Sequence, residues 1–242
     1  MIRVENITKV YNDVEVLNIS SLEIPKGECF GLVGNNGAGK TTLFSLLLDL
    51  IAPNSGSVTI KECVVNKSED WKQFTSAYID ESFLIGYLRP EEYFYFIGDL
   101  RGVSKTDVET FLNQFTDFFN GEILDQKKYI RDLSKGNQKK VGVVGALIGQ
   151  PEVIILDEPF ANLDPTTQFR LRKIIKEMAQ LQQKTILISS HDLIHTTDVC
   201  NRIVVLEKGK LIKDIQTSAT TLKELELIFN KEIEDPEGAI GE

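Results

Sequence analysis

Residues 29–48 read CFGLVGNNGAGKTTLFSLLL, and the order of these residues decides the fold. An unbroken apolar run from Cys29 to Val33 stops at a glycine-rich turn, after which Leu43, Phe44, Leu46 and Leu47 recur at helical spacing. A short continuous apolar run is the pattern of a strand buried on both faces, as in a parallel sheet. Between strand and helix, Gly34, Gly37, Gly39, Lys40 and Thr41 satisfy G-x-x-x-x-G-K-[ST] in the structural context that pattern requires. Gly34, Asn35, Asn36, Gly37, Ala38, Gly39, Lys40, Thr41 and Thr42 are therefore candidate phosphate-binding residues. Glycines let the backbone wrap phosphates with its N–H groups inward, Lys40 supplies a point charge to the β and γ oxygens, and Thr41 offers a hydroxyl to Mg²⁺. The competing reading is a plain Gly-rich turn.

Two further apolar runs end in polar residues that suit such a site. VIILDEP places Asp157 at the end of a buried strand, where a carboxylate can hold the Mg²⁺ shell, with Glu158 directly after it. Neighbouring side chains point different ways, so Asp157 can face the metal while Glu158 faces the attacking water as general base. TILISSHDL puts His191 just beyond another such strand, at the same sheet edge, where a neutral imidazole can donate one N–H to a γ-phosphate. The competing readings are two acids in a solvated turn and a histidine at a helix cap; His195, one helical turn on, is read as structural.

With 242 residues, of which 42% are hydrophobic, the chain can bury a full core. A net charge of −9 opposes a sequence-independent grip on nucleic acid, which rests on clustered Lys and Arg. Cys29, Cys63 and Cys200 are odd in number and widely spaced, so neither a disulfide framework nor a zinc site is indicated and a reducing compartment fits best. The amino terminus carries no secretory h-region, and no run approaches the roughly 18 apolar residues of a membrane helix. A membrane role would have to come through a partner.

Alternation in IRVENITKVY and VEVLNISSLEI predicts a partly solvated antiparallel sheet beside the buried parallel strands. From about residue 85 to 132 the text changes to EEYFYFIGDL and KTDVETFLNQFTDFF, a helical insertion. IVVLEKGKLIKDI carries a Lys-Gly hairpin signal, TLKELELIFNKEIE reads as an amphipathic helix, and EDPEGAIGE as a frayed end. The fold class is α/β: a P-loop core with a mostly parallel sheet, an N-terminal antiparallel β subdomain and an inserted α-helical subdomain. We expect one domain over 1–242, with 1–84 and 134–218 as core, 85–133 as helical subdomain, and 219–242 as C-terminal helix and acidic tail.

One phosphate-type helix start remains: DLSKGNQKKV, at 132–141, precedes an apolar helical run without a P-loop of its own. With these residues assembled, the sequence resembles the ATP-binding subunits of ABC transporters from about Met1 to Ile215. LSKGNQKK is similar to that family's LSGGQ-like signature, Asp164 in NLDP to its D-loop, His191 to its switch histidine, and Tyr11 to the aromatic that stacks on adenine, with Val16 beside it. The resemblance implies two subunits meeting head to tail, so that Ser134, Lys135, Gly136 and Asn137 cap the γ-phosphate held by the partner's P-loop. It also implies Mg²⁺ held by Thr41, Asp157 and a Q-loop residue, a second copy or paralogous ATPase subunit, and an integral membrane permease that places the chain at the cytoplasmic face of the membrane. No nucleic acid partner is expected.

Some letters depart from the common pattern. Lys135 and Asn137 make a Ser-Lys-Gly form of the signature that looks like the ABC-2-type export branch. The Q-loop stretch SAYIDESF aligns Glu81 where Gln is usual, with Asp80 as the alternative, and Asn162 stands in the D-loop where Gly is common. Tyr11 could instead be a strand aromatic packed in the core. The run Tyr93, Phe94, Tyr95, Phe96 packs the helical insertion's core in one reading and partly receives a membrane subunit's helix in another. The competing functions are a non-transport ABC ATPase acting on nucleic acid or ribosomes, and an unrelated P-loop kinase or GTPase, which would leave the signature and His191 without a purpose.

Overall fold

The computed structural model describes residues 1–234, so most of the EDPEGAIGE stretch lies outside the described residues. The predicted antiparallel strands are β1 (Ile2–Tyr11) and β2 (Val14–Ile24). They are joined by β4 (Ser55–Ile60) and β5 (Cys63–Val64) in a sheet of order β2-β1-β4-β5. Ile2 and Val4, Leu17 and Ile19, and Leu22 and Ile24 point into the core in alternating pairs, the two-residue period of a half-solvated sheet, with the phase shifted once between Ile19 and Leu22.

The second sheet has the order β10-β9-β3-β8-β7-β6. Its strands β3 (Cys29–Val33), β7 (Val153–Asp157) and β8 (Thr185–Ser190) are buried throughout and pair in parallel, with β6 (Thr75–Tyr78) at one edge and β9 (Arg202–Glu207) beside β3. The predicted hairpin joins β9 to β10 (Lys210–Gln216) through Lys208 and Gly209, both at positive φ (44° and 78°), as a tight primed turn requires.

Helix α1 (Lys40–Leu47) follows β3, α6 (Pro165–Gln180) follows β7, and α7 (Leu193–Val199) follows β8. Parallel neighbours need such crossovers, and they bring the carboxyl ends of β3, β7 and β8 to one edge. The insertion holds α2 (Pro90–Leu100), α3 (Lys105–Asn113) and α4 (Thr116–Phe119), then α5 (Lys135–Leu147) returns the chain to the core; α8 is Thr221–Glu234.

The sequence pattern marks KTDVETFLNQFTDFF as helix-compatible with no boundary inside it, and the structure divides it into α3 and α4. Thr116 turns its hydroxyl back to the Asn113 carbonyl at 2.8 Å, and the change of direction sends Phe115, Phe118 and Phe119 inward together with Phe94. Burying those rings outweighs helix continuity. Tyr93 and Phe94 are likewise buried, whereas Phe96 is exposed.

Candidate functional site

Gly39, at the N-terminus of α1, has φ 108°, a backbone setting that a side chain opposes, so the turn into the helix needs glycine there. A Cβ on Gly39 would also lie 3.0 Å from the Val16 carbonyl, which places the start of β2 against the phosphate loop. Tyr11 is exposed at the end of β1, not packed in the core, with the Lys9 ammonium 4.8 Å from its ring centre.

Lys40 is buried, and its Nζ donates to the Gly34 carbonyl at 2.7 Å and pairs with Glu158 Oε1 at 3.3 Å. Glu158 Oε2 lies 2.9 Å from His191 Nδ1. Lys40, Glu158 and His191 thus form a continuous polar chain that joins the ends of three adjacent strands. Glu158 itself sits at φ 46°, uncommon for a residue with a side chain, and strain of this kind gathers at functional sites.

Asp157 lies beneath this chain. Thr41 Oγ1 donates to its Oδ2 at 2.5 Å, and Ser189 Oγ donates to its Oδ1. Burial pushes the Asp157 carboxyl above the ordinary range, with the Glu158 charge adding to the rise; the bonds from Ser189 and Thr41 and the charge of Lys40 oppose it. Ser189 Oγ also accepts the Glu158 N–H at 2.9 Å, so one hydroxyl orders both acids.

At the signature, Ser134 is the N-cap of α5 and its Oγ accepts the Asn137 N–H at 3.3 Å. Ser134 and Lys135 are exposed, Gly136 and Asn137 half-buried. A Cβ on Gly136 would stand 3.0 Å from the Asn162 carbonyl, so the signature start touches the D-loop of its own chain. Asn162 takes φ 62°, the left-handed turn that the family's glycine would allow, and Asn is among the residues that accept it. Asp164 accepts the Thr167 hydroxyl and caps α6 by accepting the Thr167 N–H at 3.1 Å, and these two bonds, the hydroxyl's first, hold its carboxyl below the usual range.

In the Q-loop stretch, Asp80 is spent on a cap, accepting the Ser82 N–H at 2.6 Å. Glu81 is half-buried and lines an open cleft with Lys135 and Gln138. His195 packs its ring on Phe160, centroids 5.0 Å apart.

Two residues were not singled out from the sequence. Ser189 looked like one more member of a buried strand, although a hydroxyl two places before His191 was the available signal. Lys139 is buried in α5, and its Nζ donates to the Glu158 carbonyl at 2.7 Å. Burial lowers its pKa, against the carboxylates of Glu81, Glu158, Asp157 and Asp80, which favour the charged form.

A phosphate loop at a helix start, with two acids and a histidine on the ends of neighbouring parallel strands, defines a P-loop nucleotide-binding ATPase. The chain belongs to the ABC transporter family, whose pattern matches residues 17–161, and is an ATP-binding ATPase subunit of that family. It is 36% identical over 213 residues to the ABC transporter ATP-binding protein MJ1023 of Methanocaldococcus jannaschii, covering 87% of this chain and 76% of that one. To the bacitracin transport ATP-binding protein BcrA of Enterococcus faecalis it is 32% identical over 222 residues, covering 90% and 70%. Among solved structures, a dimeric ATP-binding cassette in a post-hydrolysis state with ADP and Pi superposes with a TM-score of 0.79 at 21% identity, over 90% of this chain and all of that one. That likeness carries the fold: a P-loop core, an antiparallel β subdomain and a helical insert.

Proposed function

We propose that two copies of this chain, or one copy and a paralogue, close head to tail on two Mg-ATP and that hydrolysis reopens them to power export through a separate membrane subunit. The observation that carries this is the Lys40–Glu158–His191 chain beside Thr41 and Asp157, in a molecule whose signature helix begins with an exposed Ser134. The chain acts as one ABC ATPase domain, with 1–84 and 134–218 as core and 85–133 as helical insert.

ATP phosphates take the place now filled by the Lys40 contact to Gly34, and Lys40 then bonds β and γ oxygens. Tyr11 stacks on adenine with Val16 below. Thr41 and Asp157 offer a hydroxyl and a buried carboxylate, hard oxygen donors suited to Mg²⁺, and no three acidic, His or Cys side chains among the described residues converge as a protein-only cage. That fits a cation completed by substrate phosphates and water, with Glu81 as the Q-loop ligand. Mg²⁺ would neutralise charge on the phosphates. Glu158 orients the attacking water and takes its proton, while His191 donates to the γ-phosphate oxygen that gains charge. Ser134, Lys135, Gly136 and Asn137, with the α5 N-terminus, receive the partner's γ-phosphate, and Asp164 holds the D-loop between the two sites.

For the membrane subunit, a cleft of about 310 Å³ is lined by Leu48, Leu50, Trp71, Phe83 and Tyr93. Its apolar walls lie beside the Q-loop and suit a cytoplasmic helix of a permease, which would hold this chain at the cytoplasmic face of the membrane. No helix among the described residues is long and apolar enough to cross a membrane by itself. Export is supported by the Ser-Lys-Gly signature form, which resembles the ABC-2-type export branch.

The test is Ser134→Arg. ATP binding to a dilute single subunit stays within a few-fold of wild type by calorimetry, while hydrolysis is abolished. Loss of ATP affinity in the dilute sample would overturn the arrangement in which the signature serves the other copy's nucleotide.

A further inference from the structure

Lys139 is a buried ammonium that forms no ion pair among the described residues, whereas the next residue, Lys140, is paired with Glu122 at 2.6 Å. Burying a cation without a carboxylate partner is unfavourable, and beyond an approach to the Tyr78 ring, 5.9 Å from its centroid, what holds the ammonium there is one hydrogen bond. That bond goes to the Glu158 carbonyl at 2.7 Å, which also accepts the Ala161 N–H at 3.3 Å. On the other side of the residue, the Glu158 N–H is held by Ser189 Oγ at 2.9 Å. The strained φ of 46° at Glu158 is therefore clamped from both ends, and the clamped peptide delivers the carboxylate to His191 and Lys40.

The two clamps differ in what they are built on. Ser189 belongs to the buried sheet, while Lys139 belongs to α5, the helix that Ser134 caps. Lys139 lies five residues beyond Ser134 along a 13-residue helix, roughly 7 Å of axial rise, so the two move as parts of one rigid rod. The near approach of Gly136 to the Asn162 carbonyl adds a second contact between the same rod and the loop that follows Glu158.

We propose that Lys139 is a positioning residue that ties the Glu158 peptide to the signature helix, so that docking of this helix on the other copy's nucleotide aligns the general base of its own copy. A subunit's readiness to hydrolyse would then depend on whether its signature is engaged, and the two sites would be coupled through Lys139. This rests on the reading of Glu158 as base and of the signature as acting on the partner's ATP.

The experiment uses the full chain and measures Mg-ATP affinity by calorimetry, kcat and KM by phosphate release, and thermal stability. Lys139→Met lowers kcat at least tenfold with ATP affinity within about twofold of wild type, and Lys139→Arg, which keeps charge and donors, retains most of the activity. Ser134→Ala and Lys139→Met combined cost less in kcat than the product of their separate losses, because both act through one helix. A wild-type kcat in Lys139→Met overturns the proposal. So does a joint fall in affinity, kcat and stability that Lys139→Arg fails to relieve, which marks a packing role, or a double variant whose losses multiply, which removes the coupling. Glu158→Gln in the same assay separates the two readings: if it still hydrolyses ATP, the assignment of the base fails and the tether with it, whereas an inactive Glu158→Gln beside a normal Lys139→Met refutes the tether alone.

Discussion

Replacing Ser189 by Ala removes one oxygen that serves two acids. In the parallel pairing of β7 with β8, Ser189 stands opposite Asp157, and its hydroxyl donates to that carboxylate while accepting the Glu158 N–H. Losing the acceptor leaves a part-buried N–H without this bond, a loss of about 1–3 kcal/mol, and losing the charge-assisted bond to Asp157 is of similar size, about 1.5–3 kcal/mol. The two share one group and are not additive, so a total near 2–4 kcal/mol is expected in the nucleotide-free protein. At about 2–4 °C per kcal/mol for a chain of this length, Tm falls by about 4–16 °C.

The loss depends on pH with a definite sign. Burial raises the Asp157 pKa, and the Ser189 bond is among the effects that restrain the rise. A carboxyl whose folded pKa lies above its unfolded value contributes stability below the unfolded pKa and loses it as pH rises through the folded one. Ser189→Ala raises the folded value further, so its penalty is largest at neutral pH and shrinks as the pH falls and Asp157 takes up its proton. Thermal unfolding of both proteins without nucleotide, at pH 7.5 and at pH 5.5, measures this. A change in Tm below 2 °C at both pH values, or a penalty that grows on acidification, would refute the role assigned to Ser189.

Lys40→Ala should weaken Mg-ATP binding by roughly 10- to 150-fold, the equivalent of a charge-assisted contact of about 1.5–3 kcal/mol, as read by calorimetry; unchanged affinity would remove Lys40 from the site. Glu158→Gln should bind Mg-ATP normally, hydrolyse it about 10²- to 10⁴-fold more slowly, and shift toward dimer by light scattering after size exclusion; a variant that hydrolyses normally excludes Glu158 as base. Gly142→Ala places a Cβ 2.2 Å from the ring of Tyr78, and overpacking of about 1–3 kcal/mol should exceed the roughly 1 kcal/mol gained in helix propensity, lowering Tm. A Tm equal to or above wild type would show that the ring yields without strain.

Much of this molecule was legible in the amino-acid order because its requirements are local. A buried strand, a turn that needs Gly39 at positive φ and a helix that starts at Lys40 are contiguous, and so are the strands that end in Asp157 and lead to His191. The signature is also written in adjacent residues, and Ser134 caps its helix within three positions. The break between α3 and α4 escaped the pattern because ring burial against Phe94, a partner in another helix, decided it. Ser189 and Lys139 escaped for the same kind of reason: one is 32 residues from Asp157 and the other 19 from Glu158. Strand register and the seating of α5 bring each to its acid. Short-range backbone demands determine which residue types can stand in a turn or at a cap, and these the sequence displays. Which hydroxyl meets Asp157 and which ammonium meets the Glu158 peptide depends on how strands and helices pack across the core, and that only the tertiary structure decided.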